Sequence, residues 1–288
     1  MIYSLNDINK IPCNSYGVIG YPIEHSLSPI IHKGLSLSDN YYRILLSPEE
    51  LEKAIPLLKE RLLGFNITIP HKLAIMKYID VLDETAIAYG AVNTVKISNG
   101  KLYGYNTDGI GFLSAIKRAG MSINNREVLL IGSGGVARVL AYEVVKAGSK
   151  LTIFCRNTIS GRALADNILK SYPKALIKIT DKLSNIRYDI LLNATPQGMY
   201  PNIDGIPVPV EIISNIDEIF DTIYNPSKTR LLIEAEKAGK KTMNGLYMLV
   251  AQAAGSREIW TNTSYRENAF DDIMKVLENK LNNDRREK

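Results

Sequence analysis

Three short segments carry more polar side chains than their apolar surroundings explain. In Gly20-Tyr-Pro-Ile-Glu-His25-Ser26-Leu27-Ser28-Pro29, two hydroxyls stand at an expected helix start. Ser28-Pro29 reads there as an N-cap with proline at N1, while Ser26 and Ser28 together could equally hold a carboxylate. In Asn66-Ile-Thr68-Ile-Pro-His71-Lys72 a strand stops and presents Thr68 and Lys72, although a lysine by itself is ordinarily solvated. Gly104-Tyr-Asn-Thr107-Asp108-Gly109 ends another strand, and Asp108 alone could be no more than the cap of the helix Ile110–Ala119. A fourth segment points to phosphate chemistry. Gly132-Ser133-Gly134-Gly135-Val136-Ala137 fits G-x-G-x-x-G/A between an expected strand and an expected helix. Gly132 would make the tight turn and Gly134 would let the backbone approach a pyrophosphate. Ala137 would keep helix and strand close, and the helix start would offer unpaired N–H groups.

The strand that follows selects the dinucleotide. A site for NAD usually places Asp or Glu about 20 residues beyond the glycines, on the ribose 2′-hydroxyl. Here the strand ends Phe154-Cys155-Arg156-Asn157, with no acid. A guanidinium makes charge-assisted hydrogen bonds to a 2′-phosphate that a carboxylate would repel, so Arg156 favours NADP, with Arg162 as an assistant. The plainer reading is a surface arginine at a strand end. Cys155 reads as a small buried residue rather than a nucleophile.

The elements that must position these residues alternate. From Glu127–Ile131 onward, strands at Lys150–Cys155, Ala175–Ile179, Asp189–Asn193 and Glu218–Thr222 interleave with helices at Val136–Ala147, Arg162–Lys170 and Thr229–Ala238. That alternation predicts βαβ units and a doubly wound parallel sheet. The first hundred residues are also α/β. Strands are expected at Tyr16–Gly20, Tyr41–Leu46, Phe65–Ile69 and Ala91–Ile97, and helices at Ser28–Leu37, Pro48–Leu62 and around His71–Ala88. Asn99-Gly100 between Val95–Ser98 and Lys101–Tyr105 is a hairpin signal. A helical segment from Gly245 to about Lys280 follows the second domain. The fold class is therefore α/β, with two α/β domains and a cleft between them for a small molecule.

Composition excludes other classes. The chain has 288 residues, 45% hydrophobic and 23% charged, which is the balance of a globular protein and not of a disordered one. No run approaches the roughly 18 apolar residues of a membrane span, and the N-terminus lacks a secretory pattern. Two cysteines cannot build a disulfide framework, so a reducing cytoplasm is expected. The formal charge of +5 is spread out, and its densest cluster, Asp284–Lys288, mixes both signs as a solvated tail does. We expect no nucleic-acid or membrane partner but a small anionic ligand. Three histidines without clustered ligands point to no metal.

Taken together, the motifs resemble shikimate dehydrogenase. The likeness runs through Gly20-x-Pro-x-x-His-Ser-x-Ser-Pro29, Asn66-x-Thr-x-Pro-x-Lys72, Gly90-Ala-Val-Asn93-Thr94 and Asn106-Thr-Asp-Gly109. It continues through Gly132-Ser-Gly-Gly135, Asn193-Ala-Thr195 with Gly198-Met199, Tyr224-Asn-Pro226 and Asn244-Gly-Leu-x-Met-Leu-x-x-Gln252-Ala253. Eight motifs in order span about residues 17–254. The resemblance implies a substrate-binding and catalytic domain over 1–107 and a Rossmann-like NADP-binding domain over 108–244. It also implies a helical segment, 245–288, that returns to the first domain.

The resemblance implies NADPH-dependent reduction of 3-dehydroshikimate to shikimate, a step towards chorismate and the aromatic amino acids. Ser26 and Ser28 would bind the substrate carboxylate, and Thr68, Asn93, Asp108 and Gln252 the ring hydroxyls, with Tyr224 reaching the site. Lys72 and Asp108 would be the catalytic pair. Gly132, Ser133, Gly134, Gly135, Val136 and Ala137 would hold the cofactor with Arg156 and Asn157, and Asn193, Thr195, Met199 and Gly245 would lie beside it. These residue types suit the chemistry: hydride addition to a ketone creates an alkoxide, which an ammonium can protonate and a neighbouring carboxylate can hold in place. Many family members carry Asn-Arg-Thr where this chain has Cys155-Arg156-Asn157; the arginine is kept. The Ser26-Leu-Ser28 pair resembles the shikimate-specific pattern. The alternative is a quinate/shikimate dehydrogenase with relaxed NAD/NADP use, and a silent NADP-binding regulator is a third reading, against which the retained Lys72 and Asp108 argue. A monomer or homodimer is expected.

Overall fold

A computed structural model describes residues 1–184, 186–266 and 268–286; of the expected solvated tail, Glu287 and Lys288 lie outside the described residues. The chain divides into two compact units. The first comprises Met1–Thr107 and Gln252–Leu277, and the second Asp108–Ala251 and the chain from Glu278. Among the described residues no helix is long and apolar enough to cross a membrane.

In the first unit seven strands form one sheet: β1 (Ile2–Tyr3), β2 (Ser15–Gly20), β3 (Tyr41–Leu45), β4 (Leu62–Ile67), β5 (Val81–Leu82), β6 (Thr94–Ser98) and β7 (Lys101–Tyr105). Their order is β1-β3-β2-β4-β6-β7-β5. The sheet is mixed: β1 to β4 run parallel, whereas β6 is antiparallel to both β4 and β7. Asn99 and Gly100, both with positive φ, turn the β6–β7 hairpin, as two adjacent left-handed residues must. One face is dry. Ile19, Ile44, Phe65, Val95 and Leu102 pack there with Ala54 and Leu58 of the helix Leu51–Arg61. On the other face the helix Leu246–Thr261 brings Trp260, whose indole N–H donates to the Val95 carbonyl at 2.9 Å. Gly64 makes room for it, because a Cβ there would overlap the indole.

The second unit has six strands, β8 (Glu127–Ile131), β9 (Lys150–Phe154), β10 (Ile177–Thr180), β11 (Tyr188–Asn193), β12 (Ile216–Asp221) and β13 (Lys241–Met243). All pair in parallel in the order β10-β9-β8-β11-β12-β13. This is the doubly wound arrangement, and its order reverses between β8 and β11. A crevice outside the C-terminal ends of the two strands at such a switch point is where these sheets bind ligands. β8 leads into Gly132 and β11 ends at Asn193, so the sequence delivers its glycine turn and its Asn-Ala-Thr to that point.

Two expected helices differ in the structure. In place of His71–Ala88 there are a helix His71–Ala74, a 3-10 turn Ile75–Tyr78, strand β5 and a helix Glu84–Tyr89. Competing hydrogen bonds break the run. The Asp80 N–H donates to the Leu102 carbonyl, and the Leu102 N–H donates to Asp80 Oδ2 at 2.7 Å. Asp83 Oδ1 then accepts from Ala86 N, starting a new helix. The C-terminal run is two helices, Leu246–Thr261 and Asn268–Arg286, and Asn262 at φ +57° ends the first. The division between the units falls inside Leu246–Thr261, at Ala251/Gln252, rather than at Gly245. The local reason is visible: the Gly245 N–H donates to the Ile223 carbonyl, whereas Ser256 and Trp260 bond to β4 and β6 neighbours.

Candidate active site

In the first unit, backbone pairing at the strand ends gathers several expected residues. The Thr68 N–H donates to the Ile19 carbonyl, the Val92 N–H to the Lys72 carbonyl, and the Asn93 N–H to the Tyr105 carbonyl. Lys72 is thereby placed one residue into a short helix whose first residue, His71, is anchored by its Nε2 on the Leu46 carbonyl at 2.7 Å. His71 is structural. His25 is exposed.

Asn93 is buried, and its amide is oriented by its neighbours. Oδ1 lies 2.8 Å from Thr94 Oγ1 and 2.9 Å from the Thr107 N–H, so donors use both lone pairs. Nδ2 is therefore the donor end, 3.1 Å from Thr107 Oγ1 and 3.5 Å from Gln252 Oε1. An amide donor beside an amide acceptor suits a pair of hydroxyls. Behind this pair, Asn66 Nδ2 donates to Ser256 Oγ at 2.8 Å, and Ser256 Oγ lies 2.7 Å from Thr94 Oγ1. Tyr41 closes the layer, its hydroxyl donating to Asn66 Oδ1 at 2.8 Å. Burial drives its phenol far upward, and a hydrogen bond with Ser28 works against that. Asp108 is the buried first residue of the helix Asp108–Arg118.

Ser26 and Ser28 are half-buried. The helix Ser28–Leu35 has Leu27 at its N-cap with no side-chain capping bond, and Ser26 Oγ instead accepts from Ser28 N at 3.3 Å. Ser28 is thus not the N-cap, and both hydroxyl oxygens stand at the helix start.

In the second unit Gly132 sits at φ +105°, with its N–H donating to the Phe154 carbonyl at 2.8 Å. A Cβ there would lie 2.9 Å from Thr195 Cγ2 and 3.1 Å from the Ala194 carbonyl, so only glycine lets the two switch-point strand ends approach. Gly134 is the N-cap of the helix Gly135–Lys146 and makes no side-chain cap bond. A Cβ on Gly134 or Gly135 would meet nothing within 4 Å, so the first-turn N–H groups are open to approach. This is a cradle that fits a phosphate group. Ala137 is buried, and Arg156 is exposed beyond the end of β9.

Other expected cofactor residues are held differently. Asn157 caps the helix Thr158–Ser171, its Oδ1 accepting from Ile159 N and Ser160 N. Asn193 is wholly buried, with Nδ2 donating to Asp221 Oδ1 at 2.9 Å and Oδ1 accepting from the Thr195 N–H and, at 2.7 Å, from Thr195 Oγ1. It shapes its loop through Thr195. Met199 is exposed, and at Gly245 a Cβ would overlap the Thr222 carbonyl. Cys155 is buried beneath Gly161, and desolvation raises its thiol.

Sequence reasoning missed Asp221. Its buried carboxylate accepts from Asn193 Nδ2, from the Ile223 N–H and, at 2.7 Å, from Thr229 Oγ1, so it ties together the loops after β11 and β12. Burial pushes it up from its ordinary 3.8 to about 6, although all three hydrogen bonds pull the other way. The available signal was an acid closing an otherwise apolar strand end, with Thr222 next to it and Thr229 shortly after. Tyr224, on the same loop, has its phenol raised by desolvation. Among the described residues no three His, Cys, Asp or Glu side chains converge as a metal site would require.

Residues 18–95 match the family model of the shikimate dehydrogenase substrate binding domain. A shikimate dehydrogenase (NADP(+)) of Methanococcus vannielii is 42% identical over 275 residues, which cover 90% of this chain and 96% of that protein. The chain belongs to the shikimate dehydrogenase family. A second relative, the shikimate dehydrogenase (NADP(+)) of Bacillus subtilis, is 38% identical over 254 residues, 85% of this chain and 91% of the relative. Among solved structures, shikimate 5-dehydrogenase from Thermus thermophilus in complex with NADP(H) and shikimate is similar with a TM-score of 0.82. It is 30% identical, and the match covers 91% of this chain and 99% of that one. The stretch that matches the shikimate dehydrogenase substrate-domain model holds Ser26, Ser28, Thr68, Lys72 and Asn93, all in the first unit.

Proposed function

We propose that this chain is an NADP-dependent shikimate dehydrogenase, interconverting 3-dehydroshikimate and shikimate on the route to chorismate and the aromatic amino acids. The observation that carries the reading is the oriented Asn93 amide. Its donor end stands beside Gln252 Oε1, and its flanking segment is hydrogen-bonded to the backbone of Lys72. Ser26 and Ser28 bind the substrate carboxylate. Asn93, Thr68, Gln252 and Asp108 take the ring hydroxyls, and Tyr224 adds its phenol.

Bound NADPH supplies the hydride. The Lys72 ammonium gives its proton to the oxygen that becomes the alkoxide, and in oxidation the neutral amine takes that proton back. Asp108 stabilises the ammonium and orients it. Residues 132–137 hold the pyrophosphate on the helix start, Arg156 pairs with the 2′-phosphate, and Thr195, Met199 and Gly245 line the nicotinamide side. Asn157 and Asn193 support that site from behind, through the helix cap and through Thr195. Residues 1–107 and 252–277 carry the substrate, and 108–251 the cofactor. We place the enzyme in the cytoplasm, as a monomer or homodimer without nucleic-acid or membrane partners.

The test is NADP reduction followed by absorbance with shikimate and then quinate, repeated with NAD. Turnover confined to shikimate and NADP is the expected result. Comparable quinate or NAD activity replaces the reading with a relaxed quinate/shikimate dehydrogenase, and silence from folded protein that binds NADP overturns both.

A further inference from the structure

Arg43 lies on β3, paired in register with Val18 of β2 and Ile2 of β1. It is half-buried, and its guanidinium does not end in solvent. Nε at 3.1 Å and Nη2 at 2.8 Å both donate to the Ser26 carbonyl. Ser26 is also held on its other side, its N–H donating to the Ile23 carbonyl at 3.1 Å. The peptide that carries the first of the two hydroxyls is therefore fixed at both ends. Among the described residues Arg43 forms no ion pair, so its charge is not cancelled at contact. Serine hydroxyls are neutral, and alone they distinguish an acid from an ester only through the stronger hydrogen bonds that a carboxylate accepts.

We propose that Arg43 is a positioning and charge-selecting residue for the substrate's carboxylate: it locks Ser26 for hydrogen bonding and supplies the positive charge that two hydroxyls lack. The proposal rests on the reading of Ser26 and Ser28 as the carboxylate cradle. It does not require the guanidinium to touch substrate. A unit charge one residue away, in a partly desolvated place, acts through space and distinguishes an anion from a neutral isostere.

The experiment compares shikimate with its methyl ester in wild type, Arg43→Gln and Arg43→Lys. Gln keeps an N–H donor for the Ser26 carbonyl but removes the charge, and Lys keeps the charge with a single point of contact. Arg43→Gln is expected to raise KM for shikimate about tenfold while the ester's KM holds, and Arg43→Lys to recover most of the difference. The wild type's preference for the acid should shrink as salt is raised, and more so than in Arg43→Gln. Equal rises for acid and ester in Arg43→Gln would leave Arg43 a mere brace, and no rise in either overturns the proposal outright. Should Arg43→Gln fail to fold, the salt dependence of the acid-to-ester ratio in wild type and Arg43→Lys decides; a flat ratio overturns the proposal. A wild type that treats acid and ester alike, or a Ser26→Ala/Ser28→Ala double variant with unchanged KM for shikimate, removes the cradle reading and the proposal with it. A wild type that prefers the acid while Arg43→Gln prefers it equally removes the proposal alone.

Discussion

Asn93 and Asn193 are both buried asparagines at the ends of strands, one in each unit, and they are held in opposite ways. Around Asn93 stand two threonine hydroxyls, a backbone N–H and a glutamine. Around Asn193 the principal partner is the Asp221 carboxylate. The contrast follows from what each site must hold. Beside Asn93, the Thr94 hydroxyl and the Thr107 N–H on Oδ1 fix which end of the amide donates. The nucleotide crevice tolerates a carboxylate because three donors bind it and burial pushes it towards the neutral form. The network around Asn193 therefore responds to pH near 6.

The largest way to test that division is Lys72→Ala. If the first unit carries the chemistry, kcat should fall about 1,000-fold, near 4 kcal/mol, as expected for loss of a general acid. KM for NADPH should stay within a few-fold. Steady-state kinetics with each substrate varied would show it, and a parallel collapse of cofactor binding would break the comparison.

The next effect is on stability and belongs to Asp221. Between pH values of 3.8 and about 6 the folded state keeps a proton that the unfolded chain releases. Stability therefore falls as pH rises through that window, by about 3 kcal/mol in all, and is level above it. Asp221→Asn should lack this fall. Urea unfolding of wild type and variant at about pH 4.5 and about pH 7 reads it directly, and parallel pH profiles would show that the carboxylate is not the sensitive element.

The smallest of the three is the counterpart of the first. Arg156→Gln should raise KM for NADPH about tenfold, the loss of one charge-assisted contact, and leave KM for NADH in place. Equal changes for both cofactors would sever Arg156 from the 2′-phosphate and leave the second unit's selectivity unassigned.

Local pattern made much of this legible. The βαβ alternation, the Asn99-Gly100 hairpin and the glycine turn after β8 are each governed by residues within a few positions of one another. What stayed hidden depends on distant partners. Ser256 meets Asn66 across 190 positions of chain, and Arg257 is wholly buried against Asp39, 2.5 Å away and 218 positions off. Nothing near that serine and arginine in sequence announces the partners. The two-residue strands β1 and β5 and the three-residue β13 are too short to show a period. Ser28 shows the converse: a local N-cap signal was present, and the N-cap lies one position earlier, at Leu27.

The indole of Trp260 lying where Gly64 has no side chain has a consequence for biosynthesis. Strand β4 leaves the ribosome early, but the residue that covers it is made nearly two hundred codons later. Residues 108–251 of the second unit are complete by then. Domains usually fold in the order in which they are translated. Here the first unit's sheet waits with one face uncovered while residues 108–251 of the nucleotide-binding unit are made ahead of its cover.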